Sequence, residues 1–210
     1  LGVDLQDFDI TDKARTMEYV NNYNPDAVVH CAAYTAVDRA EDDEENCYRV
    51  NVIGSENLAT ACKEVDAKML YVSTDYVYGG KGETPFETTD EPDPKSVYGR
   101  TKLEGENAVR KHLDKYFIVR TSWVFGINGN NFVKTMLRLG AEREALTVVD
   151  DQVGSPTYTP DLARLICDLI VTDKYGIYHG TNENYCSWAE FASEIMKLGG
   201  RNCKIKPIPS

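Results

Sequence analysis

The sequence predicts an α/β protein built on a doubly wound parallel sheet, with a smaller α/β region toward its carboxyl end. Three apolar runs, at 27–33, 68–73 and 116–120, are bounded by turn residues, which is typical of strands buried on both faces. Each run is followed by a segment of helical character, and this alternation favours a parallel sheet with right-handed crossovers. Polar side chains follow the second run directly, so they lie at the carboxyl end of a strand, where open α/β sheets bind ligands.

Capping residues and spacing predict the helices of the first half of the chain. Thr11 or Asp12 caps a short helix, and Ser96 caps another over 96–112. A long helix is predicted over 38–62, where acidic residues near the start suit the helix macrodipole. Asn51 lies in the middle of that helix, and we interpret it as a satisfied buried polar group in preference to a contact with the central strands.

The acidic, Gly- and Pro-rich segment 79–94 is predicted to be a surface loop of the kind that often covers an active site. Beyond Gly126 shorter elements follow, two of whose helices carry recognisable starts: Pro160 at a first helical position and a Ser187–Glu190 capping box. The predicted elements are a helix from 129 to about 139, a strand at 146–149, a helix from 159, a strand at 176–179, a helix over 187–198 and a strand at 203–207.

Composition excludes several classes of function. The net charge of −11 and the lack of clustered Lys and Arg argue against a nucleic-acid surface. No apolar run approaches the ~20 residues that a membrane-spanning helix needs. The six cysteines have no metal-like spacing with the three histidines, so we expect reduced, mostly buried thiols and a cytoplasmic protein. We interpret the acidic residues 41–45 as a solvated face and predict no metal site.

Thr74, Tyr98 and Lys102 are the strongest candidates for chemistry. Tyr98 and Lys102 are four residues apart, so they share one face of the predicted helix, while Thr74 ends a predicted strand. Lowering a tyrosine pKa from about 10 toward 7 requires about 4 kcal/mol, which a lysine ammonium at ~4 Å supplies only when both groups are shielded from water. Taken alone, the Tyr-x-x-x-Lys spacing is better explained by a solvated helix face. Its weight comes from Ser73 and Thr74 upstream and from Ala32 and Ala33 at the end of the preceding strand.

Four stretches together resemble the extended short-chain dehydrogenase/reductases, and within them the dTDP-4-dehydrorhamnose reductases. They are Cys31-Ala32-Ala33-Tyr34-Thr35-Ala36-Val37-Asp38, Val72-Ser73-Thr74-Asp75-Tyr76-Val77-Tyr78, Tyr98-Gly99-Arg100-Thr101-Lys102-Leu103-Glu104-Gly105-Glu106 and Arg120-Thr121-Ser122-Trp123. The likeness covers nearly the whole chain. It implies a Rossmann-like fold, with residues 1–125 as an incomplete dinucleotide-binding domain and 126–210 as a mostly substrate-binding region that is also incomplete.

The resemblance implies NAD(P)H-dependent reduction of the 4-keto group of a dTDP-6-deoxy-4-hexulose to dTDP-L-rhamnose. Thr74, Tyr98 and Lys102 would be catalytic: Tyr98 donates a proton, Lys102 lowers its pKa and holds the nicotinamide ribose, and Thr74 orients the ketone. The resemblance places Asp75, Tyr76 and Trp123, besides Thr74 and Tyr98, on the substrate side. On the cofactor side, besides Tyr98 and Lys102, it places Asp4, Asp9, Ile10, Ala32, Ala33, Tyr34 and Thr35.

One missing motif and two residues, Tyr76 and Asp4, refine what the resemblance implies. The chain has no Gly-rich phosphate-binding turn, and the end of the sugar-binding region is also missing. We therefore expect the natural protein to be longer at both ends. Related dehydratases carry Glu at the position of Tyr76, which disfavours water elimination here. An acid at Asp4 favours a ribose 2′-hydroxyl, which leans the prediction toward NADH over NADPH.

Two alternatives stay open at this stage. One is another nucleotide-sugar reductase or an epimerase with a different nucleotide. The other is a non-catalytic NAD(P)-binding regulatory subunit, although such a subunit has no need of both Tyr98 and Lys102. A homodimer is also compatible with the resemblance.

Overall fold

The first part of the chain folds around a parallel sheet with helices between its strands. The computed structural model describes residues 1–80, 82 and 84–210, which fall into two compact units. The first unit comprises 1–120 and 166–179, and the second comprises 121–165 and 180–210.

The strands of the first unit lie in the order β1 (Ala27–His30), β2 (Lys68–Thr74), β3 (Tyr116–Thr121) and β8 (Gly176–His179). β1 pairs parallel with β2, with Val28 opposite Met69, and β3 pairs parallel with β8, with Ile118 opposite Ile177. The elements of this unit are α1 (Lys13–Tyr23), β1 (Ala27–His30), α2 (Val37–Ala40), α3 (Glu44–Tyr48), a π-helical turn (Arg49–Gly54), α4 (Ser55–Glu64), β2 (Lys68–Thr74), a 3₁₀ turn (Asp75–Val77), α5 (Val97–His112), β3 (Tyr116–Thr121) and β8 (Gly176–His179), with α7 (Thr159–Ile170) shared between the two residue ranges.

The Rossmann-like α/β fold predicted from the sequence is confirmed, because parallel strands alternate with helices throughout this unit. Its core lies where α1, α4 and α5 pack on the sheet. Met69, Tyr71 and Ile118 are completely buried there, as continuous apolar runs in central strands require. Asp12 and Ser96 cap α1 and α5 through the backbone amides of Arg15 and Gly99.

β1 differs from its prediction. Its regular part ends at His30, three residues earlier than expected, and it is not buried on both faces. In the part of the chain that the structure describes, β1 has a single strand neighbour, and Val29 is 43% exposed. The apolar run is therefore an edge strand here.

The single helix predicted over 38–62 is also wrong. The segment divides into α2, α3, the π-helical turn and α4, and Asp43 has non-helical dihedral angles between the first two. Single π-helical turns inside helices occur frequently at functional sites. At this turn Gly54 lies against Ile10, whose side chain occupies the space that a Cβ would need.

The segment predicted as a surface loop begins after the 3₁₀ turn, and its positions 81 and 83 lie outside the described residues. Tyr78 holds the described remainder in two ways. Its ring stacks on Phe86 with centroids 4.5 Å apart, and its hydroxyl donates to the Glu87 carbonyl at 2.9 Å. The Asp93 amide donates to the Val77 carbonyl at 3.0 Å, so the loop returns to its starting point.

The second unit contains short paired strands and two amphipathic helices. Two pairs are parallel: β5 (Ala145–Val149) with β10 (Lys204–Ile208), and β4 (Val124–Phe125) with β7 (Thr157–Tyr158). The third pair, β6 (Val153–Gly154) with β9 (Cys186–Ser187), is antiparallel. Asn131 caps α6, and Ser187 and Glu190 form the predicted capping box of α8. The elements are β4 (Val124–Phe125), α6 (Phe132–Glu142), β5 (Ala145–Val149), β6 (Val153–Gly154), β7 (Thr157–Tyr158), β9 (Cys186–Ser187), α8 (Trp188–Leu198) and β10 (Lys204–Ile208).

The six cysteine thiols are free, but they are less uniformly buried than predicted. Cys47, Cys62 and Cys203 are buried, whereas Cys31 and Cys167 are exposed. None of the helices in the described part of the chain combines the length and the apolar character that a membrane crossing requires.

Candidate active site

Thr74 is the last residue of β2, and its side chain is fixed by the turn that follows. Its hydroxyl accepts a hydrogen bond from the Tyr76 amide at 3.2 Å and so caps the 3₁₀ turn. The same hydroxyl donates to a carboxylate oxygen of Asp75 at 3.1 Å. A buried strand that ends in a capped turn therefore holds a hydroxyl and a carboxylate side by side.

The first turn of α5 packs closely against this 3₁₀ turn. Gly99 makes the approach possible, because a Cβ at that position would clash with the Tyr76 carbonyl. Tyr98 is consequently held near the Thr74 hydroxyl, close enough for that hydroxyl to influence the pKa of the phenol. The Tyr76 ring meets the Tyr98 ring edge-to-face, with centroids 5.6 Å apart.

Burial raises the pKa of the Tyr98 phenol to about 12, because the phenolate would lose its hydration. The nearby Thr74 hydroxyl acts in the opposite direction, and the charge of Asp75 adds to the increase. The Nζ of Lys102 instead donates to a backbone carbonyl. In this structure burial therefore outweighs the lowering of the pKa that we expected from Lys102, and Tyr98 is a protonated acid at neutral pH.

Lys102 lies one helical turn after Tyr98 and is 2% exposed. Its Nζ donates to the Val72 carbonyl at 2.9 Å and lies 4.0 Å from the centre of the Tyr71 ring. Burial lowers the pKa of this ammonium to about 7, although the charge of Glu106 acts to raise it. An ammonium has three N–H groups, and among the described residues Val72 is the acceptor it contacts, which leaves donors for a ligand hydroxyl.

Asp75 is a second perturbed acid in this group. Burial raises the pKa of its carboxyl to about 6, and hydrogen bonds from Thr74 and from backbone amides offset part of the increase. Near neutral pH a modest change in its surroundings changes its protonation. Such groups occur often at functional sites.

The four predicted cofactor-side residues after β1 form a loop that the π-helical turn holds in place. Asn51 accepts a hydrogen bond from the Tyr34 amide at 2.8 Å and donates to the Tyr34 carbonyl at 3.2 Å. Ala32 and Thr35 are exposed, and Ala33 and Tyr34 are half-buried. The Asn51 amide also donates to the Thr101 hydroxyl on α5 at 3.0 Å, so it joins this loop to the helix of Tyr98 and Lys102.

The structure therefore gives Asn51 more than the role we interpreted from sequence. It is satisfied and 1% exposed, but its partners are a loop and a helix that lie outside its own segment. The sequence feature that could have indicated this role of Asn51 is a polar residue between two apolar ones in a helical segment. Glu106 and Arg120, whose side chains form a buried ion pair beneath this region, were missed as well.

Of the three amino-terminal cofactor-side residues, Ile10 is brought to the same π-helical turn, whereas Asp9 and Asp4 make local contacts. The Ile10 carbonyl accepts from the Asn57 side chain at 2.9 Å, and its side chain packs against Gly54. Asp9 accepts from the Thr11 amide at 2.8 Å and is exposed. Asp4 lies in an exposed turn, where its side chain accepts from the Leu5 amide.

Trp123 belongs to the second unit. Its backbone is left-handed, with φ +47°, and its ring stacks on Trp188 with centroids 3.5 Å apart. Gly154 supplies the room, because a Cβ there would lie 2.6 Å from the indole. The indole is therefore held rigidly within its own unit.

The chain matches the family model described as RmlD substrate binding domain over residues 1–210. It is 44% identical over 215 residues to the dTDP-4-dehydrorhamnose reductase of Aggregatibacter actinomycetemcomitans, covering 100% of this chain and 73% of that protein. It is 43% identical over 199 residues to the spore coat polysaccharide biosynthesis protein SpsK of Bacillus subtilis (strain 168), covering 95% and 70%.

Among solved structures, the fold resembles that of dTDP-4-dehydrorhamnose reductase from Bacillus anthracis in complex with NADP. The TM-score is 0.97 at 45% identity, and the match covers 99% of this chain and 74% of that one. Sequence and structure thus agree over the full length given, and the chain belongs to the RmlD substrate binding domain family, the family of the dTDP-4-dehydrorhamnose reductases.

Proposed function

We propose that this protein is an oxidoreductase that uses NAD(P)H to reduce the 4-keto group of a dTDP-6-deoxy-4-hexulose, giving dTDP-L-rhamnose. The observation that carries the proposal is the placement of Thr74, Tyr98 and Lys102 at the carboxyl end of β2. The Thr74 hydroxyl lies near the Tyr98 phenol and influences its pKa, and Lys102 lies one turn farther along the same helix. The names of the relatives support the same reaction.

The residues present fit the nicotinamide end of a dinucleotide. The buried Lys102 ammonium has donors left over for ribose hydroxyls, and the small side chains of Ala32 and Ala33 leave the loop after β1 accessible to a flat ring. Tyr34 and Thr35 continue that loop, and Asp9 and Ile10 are proposed to line the cofactor farther from the chemistry. When bound, the reduced nicotinamide supplies the hydride.

Tyr98 supplies the proton. An alcohol is a weaker acid than a phenol, even one whose pKa is about 12, so the alkoxide that forms at the substrate takes the phenolic proton. The hydroxyl of Thr74, which donates to Asp75 in this structure, is proposed to turn its O–H to the ketone oxygen and to stabilise the charge that develops there. The ammonium of Lys102, one helical turn farther along α5, is proposed to stabilise the phenolate that remains on Tyr98.

Asp75, Tyr76 and Trp123 are proposed as substrate contacts. Tyr76, which is 43% exposed, carries a phenol whose pKa is raised by burial. Because the residue is a tyrosine, this position offers no carboxylate base for removing a proton from the sugar. That chemistry favours reduction over water elimination. Trp123 is proposed as an apolar contact for the sugar ring, because aromatic faces pack well against apolar C–H surfaces.

The choice between NADH and NADPH stays a prediction. The exposed Asp4 favours a ribose 2′-hydroxyl and thus NADH, whereas the reductase from Bacillus anthracis was crystallised with NADP. The predicted homodimer, cytoplasmic location and domain boundaries also stay predictions.

The reaction is tested by following the oxidation of NADH and NADPH with a panel of nucleotide-linked 4-keto sugars. We expect turnover to be highest with the dTDP-linked 6-deoxy-4-hexulose. Tyr98→Phe is expected to lower kcat by roughly 10²–10⁴-fold, while Tyr23→Phe, an exposed position on α1, serves as the matched control. Unchanged turnover in Tyr98→Phe would exclude the proposed role of the phenol.

A further inference from the structure

We propose that Glu106 is a positioning residue for this reaction: held by Arg120 and Ser73, it fixes the strand end that carries Thr74 against the helix that carries Tyr98 and Lys102. The inference rests on the proposed function, and it concerns residues outside the three that act on the substrate. Glu106 lies one helical turn after Lys102 on α5.

The carboxylate of Glu106 is fully occupied by partners from two strands. The Ser73 hydroxyl donates to it at 2.6 Å, and Arg120 donates through Nε at 2.9 Å and Nη2 at 2.7 Å. The side chains of Glu106 and Arg120 are 1% and 3% exposed. This bidentate, charge-assisted pair fixes orientation as well as distance, because both groups are planar.

The position of Ser73 gives the network its consequence. Ser73 lies between Val72, whose carbonyl accepts from Lys102, and Thr74. α5 is therefore joined to the end of β2 by two consecutive contacts, one from Lys102 and one from Glu106. Together they set the register between the Thr74 hydroxyl and the Tyr98 phenol.

The network continues away from the reacting groups. Arg120 Nη1 donates to the Tyr78 hydroxyl, which in turn donates to the Glu87 carbonyl and lies 3.0 Å from His179 Nε2. The loop that follows the 3₁₀ turn is thereby tied to the same ion pair. A change at Glu106 is expected to alter both the end of β2 and the loop that follows the 3₁₀ turn.

The charge of Glu106 also acts on Lys102. The groups that face the ammonium are Glu106 on its own helix, Cys31 and His30 at the end of β1, Cys47 from α3 and the Tyr71 ring from β2. Of these, Glu106 makes the largest contribution toward keeping Lys102 protonated. His30 is neutral, because burial lowers its pKa to about 3.

If Glu106 only stabilised the fold, a double variant that kept its stability would also keep its kcat. Replacing both partners of a buried ion pair by uncharged side chains is often neutral for stability, because neither partner is then left as an uncompensated charge. The double variant Glu106→Gln with Arg120→Met separates the two roles. We expect it to fold with a Tm within a few degrees of the parent, and to lose 10-fold or more in kcat with KM changed less than threefold.

Two further readouts are specific to positioning. The alkaline limb of the kcat–pH profile is expected to move to lower pH, because Glu106 helps to keep Lys102 protonated whereas the charge of Arg120 has no resolved effect on it. The 13Cε resonance of Lys102, in protein labelled at lysine and assigned with Lys102→Met, is expected to titrate at lower pH in the double variant without any cofactor or substrate. Glu106→Asp keeps the charge and should restore much of that titration.

Ser73→Ala is the milder test, because it removes one hydrogen bond and leaves the ion pair. We expect kcat to fall several-fold, while Ser193→Ala, whose hydroxyl bonds the Ala189 carbonyl within α8, leaves it unchanged. A folded double variant with the parent's kcat, pH profile and Lys102 titration would overturn the proposal.

If the double variant fails to fold, Ser73→Ala decides, and parent-like kcat in that variant counts against positioning. If the parent reduces no keto sugar, the proposed function fails, and the Lys102 titration alone decides this inference.

Discussion

The ammonium of Lys102 donates to the carbonyl of Val72 at 2.9 Å, two residues before Thr74 on the same strand. This contact joins the helix that carries the proton donor to the strand that carries the hydroxyl beside it. It also buries a cation whose pKa falls to about 7, so the site contains a charge that is costly to keep.

Lys102→Met is expected to abolish most activity and to stabilise the fold below neutral pH. The folded-state pKa of Lys102 is about 7 against 10.5 for an exposed lysine, so the unfolded chain binds more protons between those values. The parent's stability therefore rises with pH from about 7 to 10, and the variant lacks this rise. Denaturant unfolding at pH 6 should show the variant more stable by roughly 5 kcal/mol at most, a gap that closes by pH 10. A parallel pH dependence in both proteins would contradict the assignment.

Asp75→Asn is expected to stabilise the protein at neutral pH and to lower turnover. Burial raises the folded-state pKa of Asp75 to about 6 from 3.8, so the folded protein binds more protons between these values and the parent loses stability as pH rises through them. At pH 7 the variant should be more stable by roughly 3 kcal/mol. Below pH 4 the two unfolding curves should coincide, and a constant difference at all pH values would point to another cause.

Asn51→Leu is expected to weaken cofactor binding about tenfold, because the Tyr34 backbone loses both of its hydrogen bonds to the side chain. Leaving those groups without partners should also cost roughly 1–3 kcal/mol of folding free energy. Titration calorimetry with NADPH and denaturant unfolding measure the two effects. Asn22→Leu, at an exposed position on α1, is the control and should bind the cofactor as the parent does.

Gly99→Ala is expected to lower kcat strongly, because the added methyl would clash with the Tyr76 carbonyl and push α5 away from the 3₁₀ turn. Such overpacking costs about 1–3 kcal/mol of stability. Gly2→Ala places its methyl in open space and is the matched control. If Gly99→Ala retains the parent's kcat, the close approach is not what positions Tyr98.

Several local features were predictable because their causes are local. Ser96, Asp12 and the Ser187–Glu190 pair cap helices through side chains only a few residues from the amides they satisfy. The helical spacing of Tyr98 and Lys102 also follows from the sequence alone. The break of the segment 38–62 does not, because it depends on Asn51 finding partners on a distant loop and helix.

The sequence by itself determined the α/β alternation, the caps, and the order in which Thr74, Tyr98 and Lys102 occur. The tertiary structure decided the protonation states, because a pKa depends on burial and on neighbours that are distant along the chain. It also decided that Glu106 meets Ser73 and Arg120, residues 33 and 14 positions away. Spacing in sequence reports which residues share a helix face, whereas only packing determines what that face touches.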